Sequence, residues 1–235
     1  MKPIYDSVDP EKYDRRREIT PEGKYAHNHW RPLISQAISQ YCQGKVTLDL
    51  GCGTGACLPI IAKQTPDFLG LDNSPMMLKY AQRKYGNLNM ALGDAHHLPI
   101  RSDVLDCVVA IGLFEYIERI PILKEINRVL KSGGIVILQM PNKHSPARTL
   151  SRIVFKIKRE RYFPKEPSYH EMLKLFRREG FKLVEYRMDD GLMWLPPFLS
   201  KLIGNIFYPA VERLFKIFRR NPFSYAMMFV VEKKC

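Results

Sequence analysis

Val46-Thr47-Leu48-Asp49-Leu50-Gly51-Cys52-Gly53-Thr54-Gly55 decides the fold. A short apolar run stops at a cluster of glycines, and a helical pattern follows through about Lys63. Glycines at a strand-to-helix turn let a ligand approach the backbone closely, and the helix behind them offers free N–H groups. The same alternation recurs downstream. Apolar strands are expected at 67–71, 88–92, 105–111 and 135–140, with helices at 28–42, from Pro75 to Lys84 behind a Ser74 cap, and at 118–130, stopped by Gly133-Gly134. A helix at 168–179 and strands at 181–187 and 225–231 complete the pattern. Apolar strands alternating with helices predict an α/β fold around a mostly parallel sheet.

The glycines alone leave the ligand open. Gly51, Gly53 and Ala56 fit a relaxed dinucleotide fingerprint, and Asp72 follows Gly51 at the spacing of a ribose-binding acid. Asp49 separates the readings. A carboxylate ending the first strand repels a pyrophosphate but favours a cation. S-adenosylmethionine carries an ammonium and a sulfonium and no phosphate, so Asp49 favours it over NAD. Asp72 ends the second strand and can accept both ribose hydroxyls. Asp94 ends the third strand and can accept an adenine amino group. Three acids at three consecutive strand ends line the edge where open α/β sheets bind ligands. Each acid taken singly also reads as a helix cap or turn residue.

The chain resembles a class I S-adenosylmethionine-dependent methyltransferase, most nearly the small-molecule type of ubiquinone and menaquinone biosynthesis. The likeness runs over residues 28–190 and rests on Leu48 to Gly55, Gly70-Leu71-Asp72-Asn73-Ser74-Pro75, Gly93-Asp94-Ala95, Leu105 to Val109 and Arg128 to Gly134. It implies a Rossmann-like seven-stranded sheet of order 3-2-1-4-5-7-6 with the last strand antiparallel. It also implies that Gly51, Cys52 and Gly53 approach the methionine part of the cofactor, with Asp49 near its ammonium. Asp72 would hold the ribose, Asn73 and Met77 would border the adenine, Asp94 and Ala95 would read its edge, and Ile111 would contribute backbone. The Asn/Asp-Pro-Pro-aromatic loop of base-amine methyltransferases is replaced by Ile111-Gly112-Leu113-Phe114-Glu115-Tyr116.

For proton removal the first choice is His144, just after the fifth strand, with Glu115, Tyr116 and His170 as runners-up. Arg31 or Tyr25 could meet the methionine carboxylate. His96 and His97 border the cofactor or solvent. No metal site is expected, because the five cysteines are odd in number and scattered.

The 235 residues carry 37 Lys+Arg against 24 Asp+Glu, a formal net charge of +13, which points to an anionic partner. The composition excludes a mainly disordered, collagen-like or polytopic membrane chain. The first thirty residues lack the apolar stretch of a secretory signal, so a cytoplasmic protein is expected. One domain is expected over 1–235, with an irregular arm at 1–27, a basic insertion at 143–167 and an apolar/basic helical insertion at 191–222. Apolar and basic residues interleave at 148–161, and Val211, Leu214, Phe215 and Phe218 fall on one helical face. Basic amphipathic helices lie in membrane interfaces. A small lipophilic or membrane-associated acceptor and peripheral contact with an anionic membrane are expected, with a lid over the acceptor pocket or helices packed on the core as the alternative readings of these segments. The alternatives are an RNA or protein methyltransferase using the basic surface, a non-catalytic cofactor-binding protein, and a nicotinamide oxidoreductase. No nucleic-acid-binding module is recognisable.

Overall fold

The computed structural model describes residues 8–19, 21–145, 148–149, 165–188 and 225–234. In chain order the elements are α1 (Pro10–Ile19), α2 (Pro21–Tyr41), β1 (Thr47–Leu50), α3 (Leu58–Ala62), β2 (Phe68–Asp72), α4 (Pro75–Tyr85) and β3 (Met90–Leu92). They continue with β4 (Leu105–Ile111), α5 (Arg119–Val129), β5 (Leu130–Pro141), α6 (Tyr169–Arg178), β6 (Phe181–Met188) and β7 (Ala226–Lys233). The seven strands form one sheet in the order β3-β2-β1-β4-β5-β7-β6. Strands β1 to β5 pair parallel, and β7 runs antiparallel to both β5 and β6. This is the expected Rossmann-like topology.

Alternating side chains send apolar groups to both sheet faces. Leu48, Val108, Val136 and Phe229 join Ile122 and Ile126 of α5 and Phe176 of α6 on one face. Cys107, Val109, Ile137 and Val230 join Trp30, Ile34 and Ile38 of α2 and Ile61 of α3 on the other. Trp30, Ile34, Ala37 and Ile38 have the spacing of one helical face, which is why α2 packs there. Sheet order then sets the functional edge. Chain connections leave β1 toward β2 on one side and reach β4 on the other, so a crevice opens beyond the carboxyl ends of β1 and β4.

Two local expectations are corrected. The stretch read as an irregular arm is helical over Pro10–Ile19 and from Pro21 onward. Both helices begin on proline, where the missing N–H costs nothing. Helix α1 has almost no apolar stripe; side-chain hydrogen bonds to distant residues tie it down. Helix α5 ends at Val129, with Leu130 already extended. Gly133 and Gly134 therefore lie within β5 rather than capping a helix. They are absorbed as a bulge: Leu105 pairs with Leu130, and Cys107 with Ile135. Gly133 has φ 75°, which a β-branched residue would resist.

Ser74 caps α4 as expected, accepting from the Met77 N–H, and Ser168 with Glu171 forms a capping box on α6. The insertions expected at 143–167 and 191–222 lie outside the described residues except for 143–145, 148–149 and 165–167. Among the described residues no helix is long and apolar enough to cross a membrane.

Candidate functional site

Strand β1 is buried throughout and delivers Asp49 to its carboxyl end, where the chain turns through Gly51 (φ 72°) and Gly53 (φ 52°). Gly51 and Cys52 donate their N–H groups to the Leu71 carbonyl at 2.7 and 3.1 Å, which locks the glycine loop onto β2. A Cβ on Gly51 would stand 2.9 Å from Leu113 Cδ1, so the loop lies tightly against the segment after β4. A side chain there would also be forced into the left-handed region.

Asp72 ends β2. Its Oδ2 accepts from the Gly53 N–H at 2.8 Å and its Oδ1 from the Ser74 N–H at 2.9 Å. The carboxylate keeps further acceptor capacity. Burial raises its pKa, and the N–H groups of Ser74, Gly53 and Asn73 pull it back. Asp49 is only 2% exposed, and its Oδ2 has no hydrogen-bond partner. Burial, with the nearby Asp72 carboxylate, pushes it up to about 7. A buried bare carboxylate oxygen in a cavity wall is rare without a ligand to meet it. Burial also pushes the Cys52 thiol up, so it is a neutral wall residue.

Asp49, Gly51, Cys52, Gly53, Asp72, Asn73, Met77, Asp94, Ala95 and Ile111 all line one cavity at the crevice between β1 and β4. Asp94 is turned more to solvent. Its Oδ1 lies 2.9 Å from both the backbone N–H and the Nδ1 of His96, and these contacts lower its pKa. His96 lines the cavity, while the imidazole of His97 is largely exposed.

Residues 48–138, the stretch that builds this cavity, match the family model described as a methyltransferase domain. Over this stretch the chain is similar to a methyltransferase domain. A demethylmenaquinone methyltransferase of Thermotoga maritima is 34% identical over 141 residues, 58% of this chain and 60% of that protein. The match thus spans less than two thirds of that relative. One from Staphylococcus saprophyticus is 28% identical over 206 residues, 77% of this chain and 87% of that protein. The solved magnesium protoporphyrin IX methyltransferase of Synechocystis, with bound S-adenosylhomocysteine, shares the fold at TM-score 0.66. It is 15% identical and covers 98% of this chain and 96% of its own.

S-adenosylmethionine is the cofactor of this domain family, and the cavity fits it. The ammonium of its amino-acid end would satisfy the bare Asp49 oxygen, and the free lone pairs of Asp72 suit a vicinal diol. A nicotinamide dinucleotide would bring its phosphates to that carboxylate instead.

The cavity also has walls that the sequence did not indicate. Tyr13 of α1, Thr54, Leu113 and Ile117 line it. Beside Tyr13, Asp14 accepts from Thr54 Oγ1 at 2.8 Å and from Lys84 Nζ at 2.6 Å, closing α1 over the glycine loop. No sequence spacing signals bonds across 40 and 70 residues.

His144 is exposed and does not line the cavity. It sits in the turn after β5, where its N–H donates to Asn142 Oδ1 at 3.1 Å. Arg31 is exposed and away from the cavity, and the side chain of Tyr25 is outside the described residues. His170 is exposed on α6, and Tyr116 is half-buried. Glu115 is buried, at 5% exposure, directly behind the cavity residues Gly112 and Leu113. Among the described residues no group of histidine, cysteine or carboxylate side chains could hold a metal ion.

Proposed function

We propose that this chain is an S-adenosylmethionine-dependent methyltransferase acting on a small, lipophilic, quinone-type acceptor. The observation that carries the reading is Asp49, a buried carboxylate with one bare oxygen in the wall of a glycine-lined cavity. The acceptor class is suggested by the relatives named demethylmenaquinone methyltransferase.

When bound, the cofactor supplies a methyl group on a sulfonium, a good leaving group for in-line displacement. The chain's own part is placement. Asp49 would hold the amino-acid end through its charge, and Gly51 and Gly53, lacking side chains, would let that end lie against backbone. Asp72 would accept from the ribose hydroxyls, while Asn73, Met77 and Ala95 would border the adenine and Asp94 would face its edge. Ile111 and Gly112, at the end of β4, would contribute backbone to the same site. Fixing donor and acceptor in line supplies much of the acceleration, with a base needed where the acceptor must lose a proton.

The acceptor is delivered from an anionic membrane surface on this reading. The basic excess and the interleaved apolar and basic residues of 148–161 and 211–220 support it.

Calorimetry tests the cofactor assignment. S-adenosylhomocysteine should bind and NAD should not, and Asp72→Ala should cost about 1.5–3 kcal/mol of that binding, the scale of hydrogen bonds to a charged group. Tight NAD binding, or an unchanged affinity in Asp72→Ala, refutes it. Transfer of labelled methyl into a cell extract, partitioned into lipid, RNA and protein, tests the acceptor class. Label in RNA or protein in place of lipid would give the basic surface a macromolecular substrate.

A further inference from the structure

Four loops meet beside the cavity, on the β4–β5–β7 side of the crevice. They are the segment 112–118 after β4, the turn after β5, the run 165–168 before α6 and Tyr225 before β7. Their polar groups are mutually engaged. Lys165 donates its N–H to the Glu115 carbonyl at 2.9 Å. Arg119 donates from Nε to the Phe114 carbonyl at 3.1 Å and from its guanidinium to the Lys165 carbonyl. Arg148 pairs with the buried Glu166 and donates to the Tyr225 hydroxyl at 3.3 Å, with that ring 5.5 Å from its guanidinium carbon.

In the middle lies the carboxyl of Glu115. It is buried, and its Oε2 has no hydrogen-bond partner. A bare buried carboxylate oxygen calls for an explanation. The other oxygen, Oε1, lies on the side of Gly112, a residue of the cofactor cavity. Gly112 lines the cavity, and a Cβ placed on it would meet Glu115 Oε1 at 3.8 Å as its nearest neighbour. Gly112 also has φ 69°, so the fold holds a residue without a side chain at this point.

We propose that Glu115 is the proton acceptor of the methyl-transfer site, with Arg119 and the Arg148–Glu166 pair as its positioning residues. This rests on the methyltransferase reading above and deepens it. In the step, the acceptor's electron pair forms the new bond to the methyl carbon. The sulfur–methyl bond breaks, and its pair returns to sulfur, leaving a neutral thioether. The proton lost by the acceptor passes to the Glu115 carboxylate and then to solvent. One positive charge on sulfur and one negative charge on the carboxylate are consumed together.

The surroundings suit the task. Burial raises Glu115 to about 7; its own backbone N–H, Arg148 and Arg119 oppose that rise, and Glu166 adds to it. A base that titrates near neutrality is half available at working pH and still strong enough to take a proton. Of the other charged or titratable groups, Glu118, Lys143, His144 and Lys165 on these loops are exposed, and Glu171 of α6 pairs with Lys143 at 3.1 Å and faces Arg119.

The experiment compares wild type, Glu115→Gln, Glu115→Asp and His144→Ala, with a reduced short-chain 2-prenyl-1,4-naphthoquinone as probe. Calorimetric affinity for S-adenosylhomocysteine should stay within about twofold in all four. Wild-type kcat/KM for the acceptor, measured at saturating S-adenosylmethionine so that ionisation of Asp49 does not enter, should rise with unit slope on the acid side and level near pH 7. Glu115→Gln should lose that limb and fall by about 10²- to 10⁴-fold, the usual range for acid–base groups. Glu115→Asp should keep the limb at a reduced rate. A Glu115→Gln enzyme with an intact acid limb overturns the proposal. So does a loss in His144→Ala as large as that in Glu115→Gln, which would assign the proton to His144.

Wild type inert toward the probe removes the quinone reading alone. Label transfer into total lipid, RNA and protein then decides Glu115 by the same ratio of variant to wild type. Wild type that labels nothing while binding cofactor overturns both the activity and the role of Glu115.

Discussion

Asp49 shows how one side chain sets both ligand choice and pH response. In the free protein its pKa is lifted from 3.8 to about 7 by burial and by Asp72. The folded, empty protein therefore holds a proton there that the unfolded chain releases, so its stability falls as pH rises from about 4 toward 7. A cationic ligand prefers the ionised form and reverses the preference. S-adenosylhomocysteine affinity should thus be full above pH 7 and weaken by up to about tenfold per unit below it. Titration calorimetry between pH 5.5 and 8, in buffers of different ionisation enthalpy, should show proton release on binding at the acid end. Asp49→Asn should bind weakly at every pH and release no proton. An affinity independent of pH in wild type would place the ammonium elsewhere.

Helix α1 has almost no apolar stripe, and side-chain bonds from Asp14 tie it to the fold. Asp14 is nearly buried and bridges Thr54 in the glycine loop and Lys84 in α4. Tyr13 stands beside it in the cavity wall. Asp14→Ala should release α1 while leaving the sheet intact. The expected loss is about 1–2 kcal/mol of local stability, below the full value for charged hydrogen bonds because the Lys84 end is partly exposed. Hydrogen exchange should show faster exchange at 10–19 with β4 and β5 unchanged, and cofactor affinity should drop in parallel. Unaltered exchange in α1 would mean that other contacts hold it. The glycines of β5 act at the same scale: Gly133→Val should destabilise by about 1–3 kcal/mol through its strained φ, read as a lowered Tm.

At the scale of the molecule, the excess of 13 positive charges gives long-range attraction to anionic surfaces. Each Lys or Arg near an anionic leaflet contributes about 1 kcal/mol, screened beyond a Debye length. Co-sedimentation with vesicles containing anionic lipid should therefore be strong at low salt and largely lost near 0.5 M. Neutral vesicles should bind little. Phe215→Asp with Phe218→Asp should weaken what remains at moderate salt. Equal binding to neutral and anionic vesicles would leave the charge without this role.

Local chemistry fixed what lay within one strand–turn–helix unit. Leu48 to Gly55 is self-sufficient: an apolar run needs burial, an acid at its end needs a cation, and the glycines permit turns that no side chain allows. The same holds for Ser74-Pro75 and for Gly93-Asp94, whereas the sheet order was legible only through the resemblance to a methyltransferase family. The tertiary structure alone decided which residues meet across the crevice. Asp14 joins Thr54 and Lys84 over separations that carry no periodic signal. His144, the first choice as a base from the sequence, and Glu115, a runner-up, both stand in loops after central strands. Packing turned one to solvent and buried the other behind Gly112, because only the four loops together determine where water is excluded and which carboxyl oxygen is left bare.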